Sequence, residues 1–168
     1  MNSKQLSFDC VNKYGPLTWR EIEWGITNEL IDWRVVKSMA IEKLSSESDQ
    51  PNELAILNSD DSLELTSVLR NLSSSEPQAL EGNIRSKWLR IVLADLFSRR
   101  NEVTDPLAEV ERTYADFGYP EEIESFVRYM PASDGYDPQA HTHQENIDRL
   151  YSNWSSYVLG LGIGNGSG

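Results

Sequence analysis

The sequence predicts an all-α protein, with a single domain over residues 1–160 built of about seven or eight helices in antiparallel hairpins. Three observations predict this class. Apolar residues recur every three to four positions along most of the chain, capping residues precede these runs, and the alternation typical of strands is not found. No repeat of fixed length occurs, so a solenoid-like helical stack is the second choice. Residues 161–168 are rich in glycine and are predicted to form a flexible tail.

The first two helices are predicted to form an αα-hairpin. Thr18 and Glu21 have the spacing of a capping box, which satisfies free backbone donors at a helix start. Asp32 is placed to cap the second helix. The apolar residues predicted to face inward are Ile22, Ile26 and Leu30 in the first helix and Val36, Met39, Ala40 and Leu44 in the second.

Three helices are predicted in the middle of the chain. Pro51 suits the first turn of a short helix over residues 51–58, because its missing N–H has no partner there in any case. Asp60 or Asp61 precedes a second helix that starts at residue 62. The third covers residues 78–100 and is the longest and most apolar, so it is expected to form the centre of the core. Gly82 is expected to divide this helix from a preceding turn.

The next two elements meet at a glycine and a proline. Asp105 and Pro106 begin a helix that Gly118 is predicted to end in a left-handed conformation. Pro120 is predicted to open another helix over residues 120–130. The inward residues are predicted to be Leu107, Val110, Tyr114 and Phe117 before the glycine, and Ile123, Phe126, Val127 and Met130 after the proline.

A second capping box predicts the last helix. Thr142 and Glu145 have the required spacing, and a loop of turn-forming residues precedes them. The residues predicted to face inward from this helix are Ile147, Leu150, Tyr151, Trp154 and Val158.

The charge of the chain limits its partners. Acidic residues outnumber basic residues 27 to 15, which gives a formal net charge of −12. This excess argues against nucleic acid and membrane partners. Solubility explains it, and the alternative is a surface that attracts a basic protein partner, since complementary charge speeds association. Cys10 is the only cysteine, which excludes an intramolecular disulfide and a multi-cysteine zinc site. Because no signal-peptide-like or membrane-spanning run occurs, a cytoplasmic protein is expected.

Familiar catalytic and cofactor motifs are missing from the sequence. No G-x-S-x-G elbow occurs, and Cys10 has no nearby histidine to activate it. The glycines of residues 160–166 have the spacing of a dinucleotide fingerprint, but they follow a helix without a strand or crossover. We therefore predict no catalytic residue and no cofactor.

The two histidines, His141 and His143, lie close in sequence to Asp134 and Asp137. Alternating histidines on an extended segment can share a metal ion if carboxylates complete the ligand set. A metal-assisted hydrolase using the two histidines, Asp134 and Asp116 is therefore one alternative. No familiar metal-ligand spacing is met, however, and a solvated loop before a capped helix explains the same residues, so no metal site is predicted.

Residues 114–131, YADFGYPEEIESFVRYMP, combine aromatic rings with carboxylates, and we call this stretch the elbow. Tyr114, Phe117 and Phe126 match inward helical positions, whereas Tyr119 and Tyr129 fall near the turn and the predicted helix end. A tyrosine at such a place can bury its ring and leave its hydroxyl in water, as interface residues do. The outward residues of the elbow are the predicted partner-binding set: Asp116, Tyr119, Glu121, Glu122 and Tyr129.

Several segments together resemble a bacterial family of unknown function, DUF twenty-two forty-seven. They are LTWREIEWGITNELI, KWLRIVLADLF, DPLAEVERTYADFGYPEEIESFVRYMP, DGYDP and NIDRLYSNWSSYV, within about residues 17–159. YADFGYP and VRYMP are the distinctive ones. The resemblance implies no established catalytic activity and no catalytic residues to carry over. By analogy with other small acidic bacterial proteins, it points to an immunity protein that neutralises a toxin.

The sequence therefore favours a non-enzymatic binding protein whose acidic, aromatic elbow covers a basic toxin domain. Two alternatives stay open: the metal-assisted hydrolase at the histidine loop, and a housekeeping adaptor or homodimer in which the elbow packs against itself.

Overall fold

The computed structural model describes residues 5–46, 56 and 58–160. Every regular element in these ranges is a helix, which confirms the predicted all-α class. The chain divides into two compact units, Met1–Ile84 and Arg85–Gly168. Compactness alone does not separate one domain from two, so the single domain over residues 1–160 stays a prediction. The predicted tail, residues 161–168, lies outside the described residues.

The first unit contains two pairs of packed helices. α1 (Phe8–Lys13) packs against α3 (Trp33–Ser46), and α2 (Trp19–Thr27) packs against α4 (Ser62–Ser75). The amphipathic faces supply its core, because burying apolar surface is the main favourable contribution to folding. Core residues include Val11, Trp19, Ile22, Leu30, Val36, Ala40, Leu65 and Leu69. Of the predicted inward residues, Ile26 is only half-buried, and the side chain of Leu44 is not among those described.

Capping of α2 and α3 agrees with the sequence. Thr18 and Glu21 form the predicted capping box, with each side chain accepting a hydrogen bond from the other residue's backbone amide. Asp32 accepts a 3.2 Å hydrogen bond from the Val35 amide. Side-chain caps depend on neighbours in sequence, which is why the pattern predicts them well.

The start of α4 distinguishes two adjacent aspartates. Asp61 accepts a 2.9 Å hydrogen bond from the Leu63 amide and is the cap. Asp60 instead forms a 2.8 Å ion pair with Lys37. The short helix predicted over residues 51–58 lies mostly outside the described residues; Ile56, which is described, is buried.

The second unit is built around two long helices and a short one. α5 (Glu81–Ser98) begins at the end of the first unit and continues through the second, and Gly82 lies inside its first turn rather than before it. α6 (Pro106–Asp116) and α7 (His143–Leu159) follow. The short 3-10 helices of the unit are Arg100–Glu102, Glu121–Phe126 and Pro138–Ala140. The largest fully buried residues here are Trp88, Leu89, Ile91, Leu93, Ile123, Phe126 and Trp154.

The prediction of an α-helix over residues 120–130 is wrong in the type of helix and in its length. The segment forms a 3-10 helix only over Glu121–Phe126, and Val127 returns to an extended backbone. In a 3-10 helix residues three apart lie directly above one another, so Ile123 and Phe126 point to the same side. Both are buried, and so is Val127, whereas Met130 is only half-buried.

The last helix buries less than its pattern predicts. Thr142 and Glu145 form the predicted capping box, and α7 packs against the 3-10 helix Glu121–Phe126. Only Trp154 of the predicted inward residues is fully buried; the half-buried ones are Ile147, Leu150, Tyr151 and Val158. None of the described helices is long and apolar enough to cross a membrane.

Candidate functional site

The elbow begins with a Schellman motif at the end of α6. The amide of Tyr119 donates a 2.8 Å hydrogen bond to the Tyr114 carbonyl, and the amide of Gly118 donates to the Ala115 carbonyl at 3.1 Å. Gly118 has a φ of +79°, which confirms the predicted left-handed helix end. The two bonds satisfy carbonyls that would otherwise lack partners at the helix end.

Tyr119 is itself in the left-handed region, with a φ of +61°. This conformation is unfavourable for a residue with a Cβ atom, so the surrounding structure must stabilise it. The Tyr119 ring packs edge-on against the Tyr114 ring, with centroids 5.2 Å apart. Such a contact between the third-last helical residue and the residue after the glycine commonly accompanies a Schellman motif.

Tyr114 is the buried member of this group. Its side chain is 3% exposed, and its hydroxyl donates a 2.8 Å hydrogen bond to Oε1 of Glu124. Burial raises the pKa of Tyr114 to about 12, and the hydrogen bond to Glu124 adds to the effect. Both causes favour the neutral phenol, which alone can donate to the carboxylate.

Tyr129 approaches Tyr114 from the far end of the elbow. The two ring centroids are 6.1 Å apart with the planes tilted by 57°. Partial burial raises the pKa of Tyr129, and the nearby Tyr119 hydroxyl and Glu111 carboxylate raise it further. Even so, Tyr129 is 59% exposed and Tyr119 is 62% exposed. We call Tyr114, Tyr119 and Tyr129 the tyrosine cluster.

The predicted acidic members of the elbow have different surroundings. Asp116 and Glu121 are exposed. Glu122 is exposed too, but its Oε1 accepts a 2.9 Å hydrogen bond from Ser86 Oγ and its Oε2 a 3.4 Å bond from the Tyr157 hydroxyl. Through these two hydrogen bonds Glu122 links the 3-10 helix Glu121–Phe126 to α5 and to α7, in addition to any role at the surface.

Arg128 is fixed beside the cluster by two carboxylates. Its Nε and Nη2 donate to the two oxygens of Glu111 at 2.7 and 3.0 Å, and its Nη1 lies 3.2 Å from Oδ2 of Asp105. The hydrogen bonds to Glu111 are the largest cause of a raised Arg128 pKa. The only basic residue of the elbow is thus neutralised by its own chain.

The histidine loop is organised around Tyr136 and Arg149 rather than around a metal site. Asp134 accepts hydrogen bonds from Arg149 Nη2 at 2.9 Å to both oxygens, and the Arg149 guanidinium lies 4.2 Å from the Tyr136 ring centroid. The His141 ring stacks on the Tyr136 ring, with centroids 4.5 Å apart, and His141 Nδ1 lies 3.3 Å from Oε2 of Glu145.

Across residues 5–46, 56 and 58–160, no three His, Cys, Asp or Glu side chains are grouped so that they could hold a metal ion. The proposed ligands of the hydrolase alternative are therefore not brought together. Next to the loop lies a cleft of about 230 Å³ whose apolar lining includes Met130, Ile147 and Leu150. A second cleft, of about 340 Å³, lies in the first unit between α1 and α3, where Phe8 and Met39 line it.

Sequence reasoning placed Tyr119 and Tyr129 on the surface but missed the residues that join them. Tyr114 was assigned to the core, and Glu111 and Glu124 were not singled out. A signal for Tyr114 was present in the sequence: the residue four positions before a C′ glycine is the one that contacts the residue after that glycine in a Schellman motif. Nothing in the spacing indicates Glu124, because its contact depends on the path of the chain after Pro120.

The fold and the site together define a class of helical protein with an exposed surface of tyrosines and carboxylates. The chain belongs to the bacterial family described as "Uncharacterized protein conserved in bacteria (DUF2247)", whose model matches residues 8–159. The resemblance noted in the sequence is thereby confirmed, with a start at residue 8 instead of 17. No curated protein and no solved structure matches the chain.

Proposed function

We propose that this protein is a non-enzymatic binding protein that neutralises a basic protein partner, as an immunity protein neutralises its toxin. The observation that carries the proposal is the exposure of Tyr119 and Tyr129, at 62% and 59%, on top of the buried Tyr114 ring. Tyrosines that are exposed yet already packed on one side resemble the anchor residues of protein interfaces.

Preorganisation supports a binding role for these rings. The left-handed backbone of Tyr119 is held by the hydrogen bond to the Tyr114 carbonyl, and Tyr114 is held by Glu124. A side chain that is fixed before binding loses little conformational entropy when the partner arrives. The cluster can therefore convert contact area into affinity more efficiently than mobile surface residues.

Charge supports a basic partner. The chain has a net charge of −12, and Asp116 and Glu121 lie exposed in the same elbow. Opposite charge on the partner would raise the association rate and reject acidic competitors. The arrangement suits recognition, because Tyr119 and Tyr129 expose large aromatic surface beside these carboxylates.

The test uses the protein encoded by the neighbouring gene. Binding is measured by calorimetry, and the growth of a bacterial host that expresses the neighbouring gene is compared with and without this protein. We expect binding and protection, with a rate of association that falls as salt is raised. The variant Tyr119→Ser/Tyr129→Ser should bind about 1,000-fold more weakly, since anchor residues typically contribute about 2 kcal/mol or more each and 1.4 kcal/mol corresponds to about tenfold.

The matched control is Leu63→Ser/Leu80→Ser. Both leucines are large, apolar and more exposed than the tyrosines, at 81% and 73%, and they lie in the first unit. This control should bind within about threefold of the natural protein. Equal losses in both double variants, or no binding to the neighbour's product, would refute the proposal. A dimer that dissociates only in the tyrosine variant would assign the elbow to self-association instead.

A further inference from the structure

We infer that the tyrosine cluster is a cation cage that receives an arginine side chain of the protein partner. The inference rests on the proposed function and adds the chemistry of the group that is recognised. An aromatic face attracts a cation because the ring carries negative charge density above and below its plane, and several rings around one cation strengthen the attraction.

The geometry of the cluster meets the requirements of a cage. Tyr119 and Tyr129 contact Tyr114 at different angles, 83° and 57°, so the three rings do not lie in one plane. The Tyr119 and Tyr129 hydroxyls are close enough to the Tyr114 hydroxyl to contribute to its raised pKa, and the Tyr114 hydroxyl itself is bonded to the Glu124 carboxylate. Two exposed aromatic rings thus flank a buried phenol that is bonded to a carboxylate, and these are the groups that a guanidinium would contact.

The cage is open in the described part of the chain. Over residues 5–46, 56 and 58–160 no lysine or arginine lies over the Tyr119 or Tyr129 ring, and neither hydroxyl makes a hydrogen bond within the chain. Arg128, the nearest basic residue in sequence, is directed to Glu111 and Asp105. Oε1 of Glu124 accepts the Tyr114 hydrogen bond, which leaves Oε2 for a donor from outside.

The protein contains a filled example of the same arrangement. Arg149 lies 4.2 Å from the Tyr136 ring centroid while its Nη2 donates to both oxygens of Asp134. A tyrosine face and a carboxylate together thus hold one guanidinium. The tyrosine cluster has the same two components, and the arginine of the partner would be the cation.

Arginine fits this site better than lysine. The guanidinium is planar, stacks on aromatic rings, and donates several hydrogen bonds in fixed directions to a carboxylate and to hydroxyls. Lysine offers a compact charge that is more strongly hydrated and does not stack. A partner with an exposed arginine at its contact surface is therefore the expected ligand.

The test compares blocked hexa-arginine and hexa-lysine peptides, which carry equal charge, against the full-length protein. Binding is measured by calorimetry, and the site is located by NMR shifts of labelled tyrosine rings. We expect the arginine peptide to bind about tenfold more tightly and to shift the signals of all three cluster tyrosines.

Variants separate the rings from the general negative charge. Tyr119→Leu/Tyr129→Leu keeps apolar bulk but removes the aromatic faces, so it should abolish the preference for arginine. Tyr119→Phe/Tyr129→Phe keeps the faces and should retain the preference within about threefold. Glu121→Gln removes one exposed charge of the elbow and should weaken both peptides equally. Circular dichroism verifies that each variant is folded.

Equal affinity for the two peptides, or an unchanged preference in the leucine variant, would overturn the cage. These results would leave the proposed function intact if the neighbour's product still requires Tyr119 and Tyr129. Conversely, an arginine preference that depends on the rings, without binding to that product, would support the cage and refute the proposed partner.

Discussion

The hydroxyl of Tyr114 donates a 2.8 Å hydrogen bond to Oε1 of Glu124, and this bond ties the last turn of α6 to the 3-10 helix Glu121–Phe126. Between the two residues the chain reverses through Gly118 and Tyr119, both in the left-handed region. The bond therefore fixes the geometry of the turn on which the two exposed tyrosines stand. It also makes the turn sensitive to the protonation of one buried phenol.

Stability should fall at alkaline pH through Tyr114. Its pKa is about 12 in the folded protein and about 10 in an unfolded chain, so the folded state binds the proton more tightly. The stabilisation is fully present below pH ~10 and is lost as the pH rises towards ~12. We expect Tyr114→Phe to show a smaller loss of unfolding free energy between pH 9 and 11, as measured by urea unfolding at each pH.

Trp154→Phe is the control for this experiment, since it weakens the core without changing a titratable group. It should lower the whole pH profile and leave its slope unchanged. Tyr157→Phe should flatten the profile as Tyr114→Phe does, because burial also raises the pKa of Tyr157. Identical slopes for the natural protein and both tyrosine variants would contradict the assignment.

Trp154 should be the most sensitive position of the second unit. It is fully buried, its Nε1 donates a 3.1 Å hydrogen bond to the Leu93 carbonyl, and its ring is parallel to Phe126 and edge-on to Phe97. Trp154→Ala should lower the unfolding free energy by about 3–5 kcal/mol, the usual cost of a cavity of this size. Far-UV circular dichroism in urea measures the change.

The comparison for Trp154 is Leu159→Ala, on the same helix. Leu159 is mostly exposed at the end of α7, so its truncation should change the unfolding free energy by less than about 0.5 kcal/mol. Comparable effects at the two positions would show that α7 is not anchored through Trp154.

The helix starts and the helix end at Gly118 could be predicted from the sequence because they depend on residues that are close in sequence. Thr18, Thr142 and Asp105 act through hydrogen bonds to amides three residues away, and each is found where the pattern indicates. The left-handed Gly118 follows from the same local chemistry. Local interactions of this kind are encoded within a few residues, so one sequence is enough to read them.

The segment after Pro120 could not be predicted in the same way. Ile123, Phe126 and Val127 have spacings that suit an α-helix and a 3-10 helix alike, and the segment forms a 3-10 helix that packs against α7. The contacts that build the tyrosine cluster have a similar origin. Glu124 reaches Tyr114 across ten residues, and Arg128 reaches Glu111 across 17. Such contacts require the folded path of the chain.

The same chemical change should have opposite effects at two glycines. Gly118 has a φ of +79°, and Gly82 lies within α5, where a helical backbone is required. A Cβ atom would meet no other atom within 4 Å at either position, so packing does not influence the outcome. Gly118→Ala should lower the unfolding free energy by about 1 kcal/mol, and Gly82→Ala should raise it by about 0.5–1 kcal/mol.

Urea unfolding of the two glycine variants and of the double variant measures these changes. The glycines lie far apart in sequence and share no contact with an added methyl group, so the effects should add to within about 0.5 kcal/mol. A stabilising Gly118→Ala would mean that the helix end can relax out of its left-handed conformation. It would thereby contradict the rigid support proposed for Tyr119.

The coupling free energy between Arg128 and Glu111 should be larger than that of an ordinary surface ion pair. Its guanidinium meets the two oxygens of Glu111 at 2.7 and 3.0 Å, and the Glu111 side chain is largely buried by its neighbours. A double-mutant cycle with Arg128→Met and Glu111→Gln should give a coupling of about 1 kcal/mol, at the upper end for exposed pairs because the contact is bidentate.

Arg112 and Glu109 provide the comparison, since that pair is more exposed and uses a single nitrogen. Its cycle should give about 0.3–0.5 kcal/mol, and both couplings should shrink as salt is raised. Equal couplings would show that Arg128 is an ordinary surface charge, and the elbow would then keep a mobile cation beside Tyr129 that competes with an incoming arginine.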